Sequence, residues 1–309
     1  MGVLKMKHSA KGNAFLLMAA LVWGFSLVAQ KAGLNYLGPF TFTAIRCTLG
    51  GIVMLPLILF LDKKKNLENQ EEEAGKKETI KGAICCGALV CVVILLQQFG
   101  LPHTSVGKAG FITALYILIT PVIGLRLGKK TSRNLWIGVV IGLAGMYFLC
   151  LFEGIGSMSF GDVMMFIASF ICAFHIHTID YFVKRISPVK LTCGQFIFAG
   201  LLCVIPAVVF ESVTWEALKA ALIPIIYASV FSCAIGYTFQ TIGQKSTNPN
   251  LACLIMSLET VFALFSGWIF FKEVLSVHEY IGCGLMFLAI IVSQLPQRAD
   301  KKEEDSLCE

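Results

Sequence analysis

Long, nearly uncharged runs of apolar residues dominate this chain and alternate with short polar segments. About 20 consecutive apolar residues are enough for an α-helix to cross the hydrocarbon core of a bilayer. The runs are continuous, whereas an outer-membrane barrel would show short segments of alternating hydrophobicity. The pattern therefore predicts an all-α membrane protein whose ten transmembrane helices cover residues 13–33, 40–61, 80–100, 107–127, 134–152, 161–182, 189–210, 218–240, 250–271 and 274–295.

Composition strengthens this class assignment. Hydrophobic residues make up 57% of the chain and charged residues 14%, against about 25% charged residues in a soluble domain. Eleven of the twelve cysteines lie in apolar runs and none forms a CxxC pair. We interpret them as small apolar packing residues, and we expect no metal site and no cofactor.

The basic residues are distributed unevenly over the connections. If the N-terminus is cytoplasmic, nearly all Lys and Arg residues lie on the cytoplasmic side, in agreement with the positive-inside rule. The charged segment 62–79 is then a cytoplasmic loop and residues 296–309 a cytoplasmic tail. This topology accounts for the net charge of +6, and without a basic face carrying aromatic residues we expect no nucleic-acid partner.

The second half of the chain repeats the first. The segment LYILITPVIGLRLG at 115–128 aligns without a gap with LIMSLETVFALFSG at 254–267, which sets Thr120 opposite Glu259. Residues 38–56 align similarly with 187–206. The chain therefore consists of two five-helix units, 12–152 and 161–295. Because five is odd, the second unit enters the membrane from the opposite side, which is the inverted repeat found in many secondary transporters.

Several segments also resemble a known family. WGFSLVAQKAG, AIRCTLGG, TSVGKAGFITALYILITPVIG and SLETVFALFSGWIFFKEVLS, in that order, are similar to the EamA branch of the drug/metabolite transporter superfamily. The resemblance implies a ten-helix carrier in the cytoplasmic (inner) membrane of a bacterium, which works by alternating access. One difference is visible, since the ninth helix has Thr260 after Glu259 where the family often has proline. We therefore expect no proline-type irregularity there.

Glu259 is the ionisable residue in the middle of the ninth apolar run. A charge at the centre of a bilayer is costly, so Glu259 should face the protein interior. It either couples transport to protons or binds a substrate ammonium group, or it is a buried carboxyl that hydrogen-bonds neighbouring helices. A protonated carboxyl would be neutral and easier to bury.

Other polar residues in the apolar runs are further candidates, and each has a structural alternative. Arg46 could contact lipid headgroups or pack at the repeat interface, and Lys108 could extend to the interface or bind an anionic group. His175 and His177 could carry protons or simply pack between helices. The candidate cavity or coupling residues are Trp23, Arg46, Gln97, Lys108, Tyr116, His175, His177, Tyr237 and Glu259.

The predicted function is secondary active transport, with export of amino-acid-like or aromatic and apolar metabolites or drugs. The partners are a small molecule and the lipid bilayer, with protons as a candidate coupling ion; the oligomeric state stays open. No Walker, HExxH or GxSxG motif is present, so we expect neither direct ATP use nor an enzyme. The alternatives are a metabolite importer and a lipid or nucleotide-sugar carrier of the same fold.

Overall fold

The computed structural model describes residues 2–67, 75–126, 133–148, 152, 158–247, 249–274 and 276–295, and every regular element among them is helical. The elements are α1 (Gly2–Gly33), α2 (Pro39–Leu67), α3 (Lys76–Gly100), a 3₁₀ turn (Leu101–His103), α4 (Val106–Thr113), α5 (Tyr116–Arg126), α6 (Arg133–Met146), α7 (Phe160–Phe182), α8 (Pro188–Phe210), α9 (Trp215–Ala220), α10 (Leu222–Ile226), a π-helix (Tyr227–Gly236), α11 (Tyr237–Ser246), α12 (Pro249–Met256), α13 (Glu259–Phe271) and α14 (Val277–Gln294).

The count of ten spanning helices is not confirmed. Within the described residues, seven helical segments are long and apolar enough to cross a membrane. They are Lys11–Gly33, Pro39–Leu61, Lys76–His103, Val106–Arg126, Phe160–Phe182, Pro188–Phe210 and Leu222–Ser246. The fifth, ninth and tenth predicted spans contain the shorter apolar helices Trp136–Gly145, Glu259–Phe271 and Tyr280–Ala289. The protein is thus a multi-pass membrane protein whose described elements are all helical. Of the predicted loop 62–79, residues 62–67 continue α2 and 76–79 begin α3, whereas 68–74 and the predicted tail 296–309 lie outside the described residues.

Two of the predicted spans are each divided into two helices. The fourth consists of α4 and α5, separated at Ala114 and Leu115, and the ninth of α12 and α13, separated at Ser257 and Leu258. The expected regularity of the ninth span is therefore wrong. The interruption needs no proline because both the backbone N–H and the side-chain hydroxyl of Thr260 donate to the Ser257 carbonyl, each at 2.9 Å.

The helix contacts reflect the internal duplication. Helix α2 packs against its counterpart α8, and α6 packs against its counterpart α14. The pair α1–α13 corresponds to the pair α7–α5, and both pairs are in contact. This pattern is unchanged when the two halves are exchanged, as an inverted repeat requires. The boundaries 12–152 and 161–295 stay predictions.

Glycines allow two close helix approaches in the interior. A Cβ at Gly24 of α1 would collide with Phe262 and with the Glu259 carbonyl on α13, and one at Gly50 of α2 would collide with Cys233 of the π-helix. The hydroxyl of Ser266 donates to the Gly24 carbonyl at 2.9 Å and fixes the first approach. These contacts bring α13 and the π-helix against α1 and α2, and the cavity described below lies between them.

Candidate functional site

A cavity of about 50 Å³ lies in the interior and receives side chains from both halves of the chain. Such a volume holds a few water molecules. The first half contributes residues from α1 to α5, and the second half contributes residues from α7, the π-helix, α11, α12 and α13. The lining residues are Trp23, Ser26, Leu27, Gln30, Arg46, Val93, Gln97, Gly110, Thr113, Tyr116, Cys172, His175, Ile176, Ser232, Tyr237, Gln240, Met256 and Glu259.

Seven of the nine residues selected from the sequence line this cavity. They come from seven different helical elements, so only the folded chain brings them together. Their functional role remains a prediction, whereas their common location is a property of the structure. These seven are Trp23, Arg46, Gln97, Tyr116, His175, Tyr237 and Glu259.

Glu259 is the first residue of α13, directly after the interruption of the ninth span. Its carboxylate accepts a long hydrogen bond of 3.5 Å from the hydroxyl of Tyr116, the first residue of α5. The two interruptions thus place an acid and a phenol against each other across the two halves. No basic group of the described residues lies within ion-pair distance of Glu259.

Arg46 is 1% exposed although it lies inside a helix with lipid-facing residues. Full burial excludes contact with lipid headgroups, which was one of the alternatives from the sequence. One guanidinium nitrogen, Nη2, donates to the Ser232 hydroxyl at 3.4 Å. The Nε and Nη1 groups have no hydrogen-bond partner among the described residues.

Aromatic rings form one wall of the cavity. The ring centroids of Trp23 and Tyr237 are 4.6 Å apart, and Phe196 meets Tyr237 edge to face at 4.8 Å. The buried indole N–H of Trp23 lacks a partner among the described residues. This wall offers apolar surface with one free donor, the combination that small-molecule pockets use to orient a ligand.

Amides and one histidine continue the lining. His175 Nε2 lies 3.0 Å from Gln195 Oε1, and Gln195 is the repeat counterpart of Arg46. Gln98 donates to Gln30 at 2.7 Å, and Gln30 in turn donates to Ser26 at 3.2 Å. Hydrogen bonding of this kind fixes side-chain orientation inside a membrane protein, where water cannot satisfy buried polar groups.

Lys108 and His177 do not line the cavity. The ammonium group of Lys108 pairs with Asp162 at 3.1 Å, and its backbone N–H donates to the Ser105 side chain that caps α4. His177 Nε2 lies 2.8 Å from the Thr120 carbonyl. Each side chain is therefore held by a partner within the protein, and neither is among the residues that line the cavity.

A charged cluster occupies the end of the bundle where α1 ends and α4 and α7 begin; it consists of Lys31, Lys108, Asp162 and Glu273. The ion pairs Lys31–Glu273 at 2.8 Å and Lys108–Asp162 at 3.1 Å each join one half of the chain to the other. Glu273 follows Lys272, whose φ of 54° is in the left-handed region. That turn directs Glu273 back towards α4, where it accepts from the Val106 N–H at 2.7 Å.

Asp162 has the most partners in this cluster. It closes a capping box with Ser159 at the start of α7 and accepts from the Thr104 hydroxyl at 2.7 Å. It is fully buried. The sequence interpretation did not select Asp162, although the Ser159-x-x-Asp162 spacing before an apolar run is a recognisable capping signal. It also did not select Ser26, although FSLVAQK at 25–31 aligns with FHIHTID at 174–180 and sets Ser26 opposite the candidate His175.

Comparison with known proteins agrees with these observations. The sequence model of the EamA-like transporter family matches residues 10–151 and 159–294. An uncharacterized transporter of Archaeoglobus fulgidus is 25% identical over 281 residues, covering 91% of this chain and 84% of that protein. The uncharacterized inner membrane transporter YedA of Escherichia coli is 22% identical, with 89% and 88% covered.

A solved crystal structure shares the fold. It aligns with a TM-score of 0.66 at 16% sequence identity, covering 92% of this chain and 96% of the other. At this level of identity the likeness concerns the arrangement of helices alone.

Proposed function

The chain belongs to the EamA-like transporter family, and from that membership we propose that it exports small metabolites or drugs by alternating access through the interior cavity. In this mechanism two repeats move against each other, and the binding site at their interface opens to one side of the membrane at a time. The observation that supports the proposal most directly is that both halves of the chain line one cavity.

The charged cluster fits the role of an outer gate. In the topology predicted from the basic residues, Lys31, Lys108, Asp162 and Glu273 all lie at the extracellular side. Their two ion pairs join α1 and α4 to elements of the second half. Opening the cavity outwards would separate these elements and break the pairs, so the cluster holds the outer side closed until substrate or protons shift the equilibrium.

Glu259 is the proposed proton-coupling residue. It lines the cavity, and it has no cation beside it among the described residues. The titratable groups in electrostatic contact with it are Tyr116, Cys172 and Tyr237. Ionisable residues inside a membrane protein mark substrate or proton pathways. Proton binding from outside would then accompany return of the empty carrier.

Transport by the purified full-length protein in lipid vesicles tests the main proposal. Radiolabelled L-phenylalanine, L-leucine and L-threonine, and the cationic dye ethidium, serve as probes. Ser26→Leu should abolish flux because it fills the cavity, whereas Ala14→Leu, at an exposed position of the same helix, should leave flux unchanged. Transport that survives Ser26→Leu would mean that the cavity is not the pathway, and no flux of any probe above empty vesicles would contradict the proposed function.

A pH gradient tests the coupling. Wild-type net flux should rise when the gradient drives protons against the substrate direction. In Glu259→Gln, net flux should no longer respond to the gradient, while exchange of labelled for unlabelled substrate at equal pH continues. A Glu259→Gln protein with full pH dependence would leave this carboxyl with a packing role.

A further inference from the structure

We propose that Arg46 binds a carboxylate group of the transported substrate, so that the cavity selects small molecules that carry one. This inference rests on the proposed function and names the chemistry of its substrate. It assigns to Arg46 a direct contact with the substrate.

The first argument is an uncompensated charge. An arginine side chain remains protonated in proteins, and Arg46 is 1% exposed. Within the described part of the chain, no carboxylate lies within 4.0 Å of its guanidinium; the ion pairs there are Lys31–Glu273, Lys108–Asp162 and Lys184–Asp180. A buried charge without a partner is strongly unfavourable, so a protein that retains one needs a counter-ion at some stage of its cycle.

The second argument is the presence of free donors on residues that line the cavity. Arg46 lines the cavity, and its Nε and Nη1 groups have no partner among the described residues. The indole Nε1 of Trp23, also in the lining, is unpartnered as well. Buried donors without acceptors are uncommon in folded proteins. Here the two side chains that carry them come from different helices and both line one cavity, where an incoming oxyanion would supply the missing acceptors.

The remaining neighbours of Arg46 do not supply a carboxylate. The titratable groups in electrostatic contact with it are the thiols of Cys47 and Cys233 and the phenol of Tyr237, and the Cys233 thiol is also within hydrogen-bonding reach of the guanidinium. The contact with Ser232 is long, at 3.4 Å, and engages only one nitrogen. The guanidinium therefore keeps most of its hydrogen-bonding capacity for a ligand.

A carboxylate fits this environment better than a phosphate. One arginine compensates one negative charge, and the lining contains no lysine and no second arginine. It does contain Glu259, and an unpartnered acceptor, Gln240 Oε1, which would repel a dianion. The planar guanidinium also matches the planar carboxylate in a two-point contact. The aromatic wall of Trp23 and Tyr237 would then contact the apolar part of the substrate.

Binding to the purified full-length protein tests the inference. The probes are benzoate, phenylacetate, L-phenylalanine and L-leucine, each compared with its primary amide, and phenyl phosphate as a separate arm. Carboxylates that bind should raise the melting temperature in proportion to their concentration. The matched amides, which keep the shape but lose the negative charge, should not.

Variants identify the residue. Arg46→Gln should weaken binding of the stabilising carboxylate by about tenfold or more, the usual consequence of losing a hydrogen bond to a charged group. Arg46→Lys keeps the positive charge but loses the planar guanidinium that makes the two-point contact, so its affinity for the carboxylate should fall between those of wild type and Arg46→Gln. Arg46→Lys also tests the inference if Arg46→Gln does not fold. Arg185→Gln, at an exposed position, is the control and should bind as wild type.

Three results would overturn the inference: equal stabilisation by amides and carboxylates, stabilisation by phenyl phosphate alone, or undiminished carboxylate binding by both Arg46 variants. Absence of stabilisation by every carboxylate would overturn it as well. If ethidium or a neutral probe is transported equally by wild type and Arg46→Gln, the carboxylate assignment fails while the proposed transport stands. The proposed function itself fails only if vesicles transport none of the probes.

Discussion

Buried charges are arranged in opposite ways at two places in this molecule. In the charged cluster at one end of the bundle, Lys31, Lys108, Asp162 and Glu273 are all paired. At the cavity, Arg46 and Glu259 line the same space without an ion-pair partner among the described residues.

Paired and unpaired charges should serve different roles, the former in stability and the latter in transport. A paired charge holds two helices together, and its loss leaves the partner exposed to an apolar interior. An unpaired charge beside a cavity contributes little to helix packing and remains available to a ligand or a proton. We therefore expect stability to depend on the charged cluster and transport on the cavity charges, and variants at the two places can be compared directly.

The largest effect on stability should come from Asp162→Ala. It removes the capping box of α7, the hydrogen bond from Thr104 and the partner of Lys108 at a fully buried position. Breaking such a pair costs about 3 to 5 kcal/mol, which should appear as a sharply lower melting temperature in detergent. Lys108→Met in the same background should restore part of the loss, because it removes the orphaned cation. A melting temperature equal to wild type would contradict the structural role of the cluster.

Glu273→Gln should have a smaller effect. The amide can still accept from the Val106 N–H, but the ion pair with Lys31 is lost. Both side chains are partly exposed, at 22% and 17%, so solvent screens the pair and the cost should be about 1 kcal/mol. In vesicles the same change should favour outward opening, seen as faster labelling of a cysteine introduced at Ser26. Unchanged labelling would show that the charged cluster does not act as an outer gate.

Arg46→Met should leave stability unchanged or raise it slightly, in contrast to Asp162→Ala. Replacing a buried charge by an apolar side chain of similar volume is often neutral or stabilising. The melting temperature without ligand should therefore equal or exceed that of wild type, while carboxylate binding is lost. A strong destabilisation would indicate that Arg46 has a structural counter-charge after all.

The smallest effect should follow from Lys184→Ala. This residue pairs with Asp180 one helical turn away at 3.0 Å, but its side chain is 58% exposed. Exposed pairs of this spacing contribute about 0.3 to 0.5 kcal/mol. Thermal melting and transport should both match wild type closely, which makes this variant the baseline for the other three. A large loss would show that exposure does not predict the contribution of charge pairs in this protein.

The sequence was sufficient for the class and the family of the protein. Run length and composition predicted helices and membrane insertion, and the order of motifs predicted the EamA resemblance, which the family match confirms. Two polar side chains that interrupt apolar runs, Arg46 and Glu259, lie in the lining of one cavity, and their role in transport stays a prediction. Lys108 instead pairs with Asp162, 54 positions later, a partner that the sequence does not reveal.

What the sequence determined by itself is the set of residues that must avoid lipid, since transfer of a polar or charged side chain into hydrocarbon is costly wherever the chain folds. Only the tertiary structure decided which of them find one another. Lys108 meets Asp162, His177 meets the Thr120 carbonyl, and Arg46 meets no carboxylate among the described residues. Pairing depends on distances of a few ångströms between helices remote in sequence, and the periodicity of a single apolar run carries no information about them.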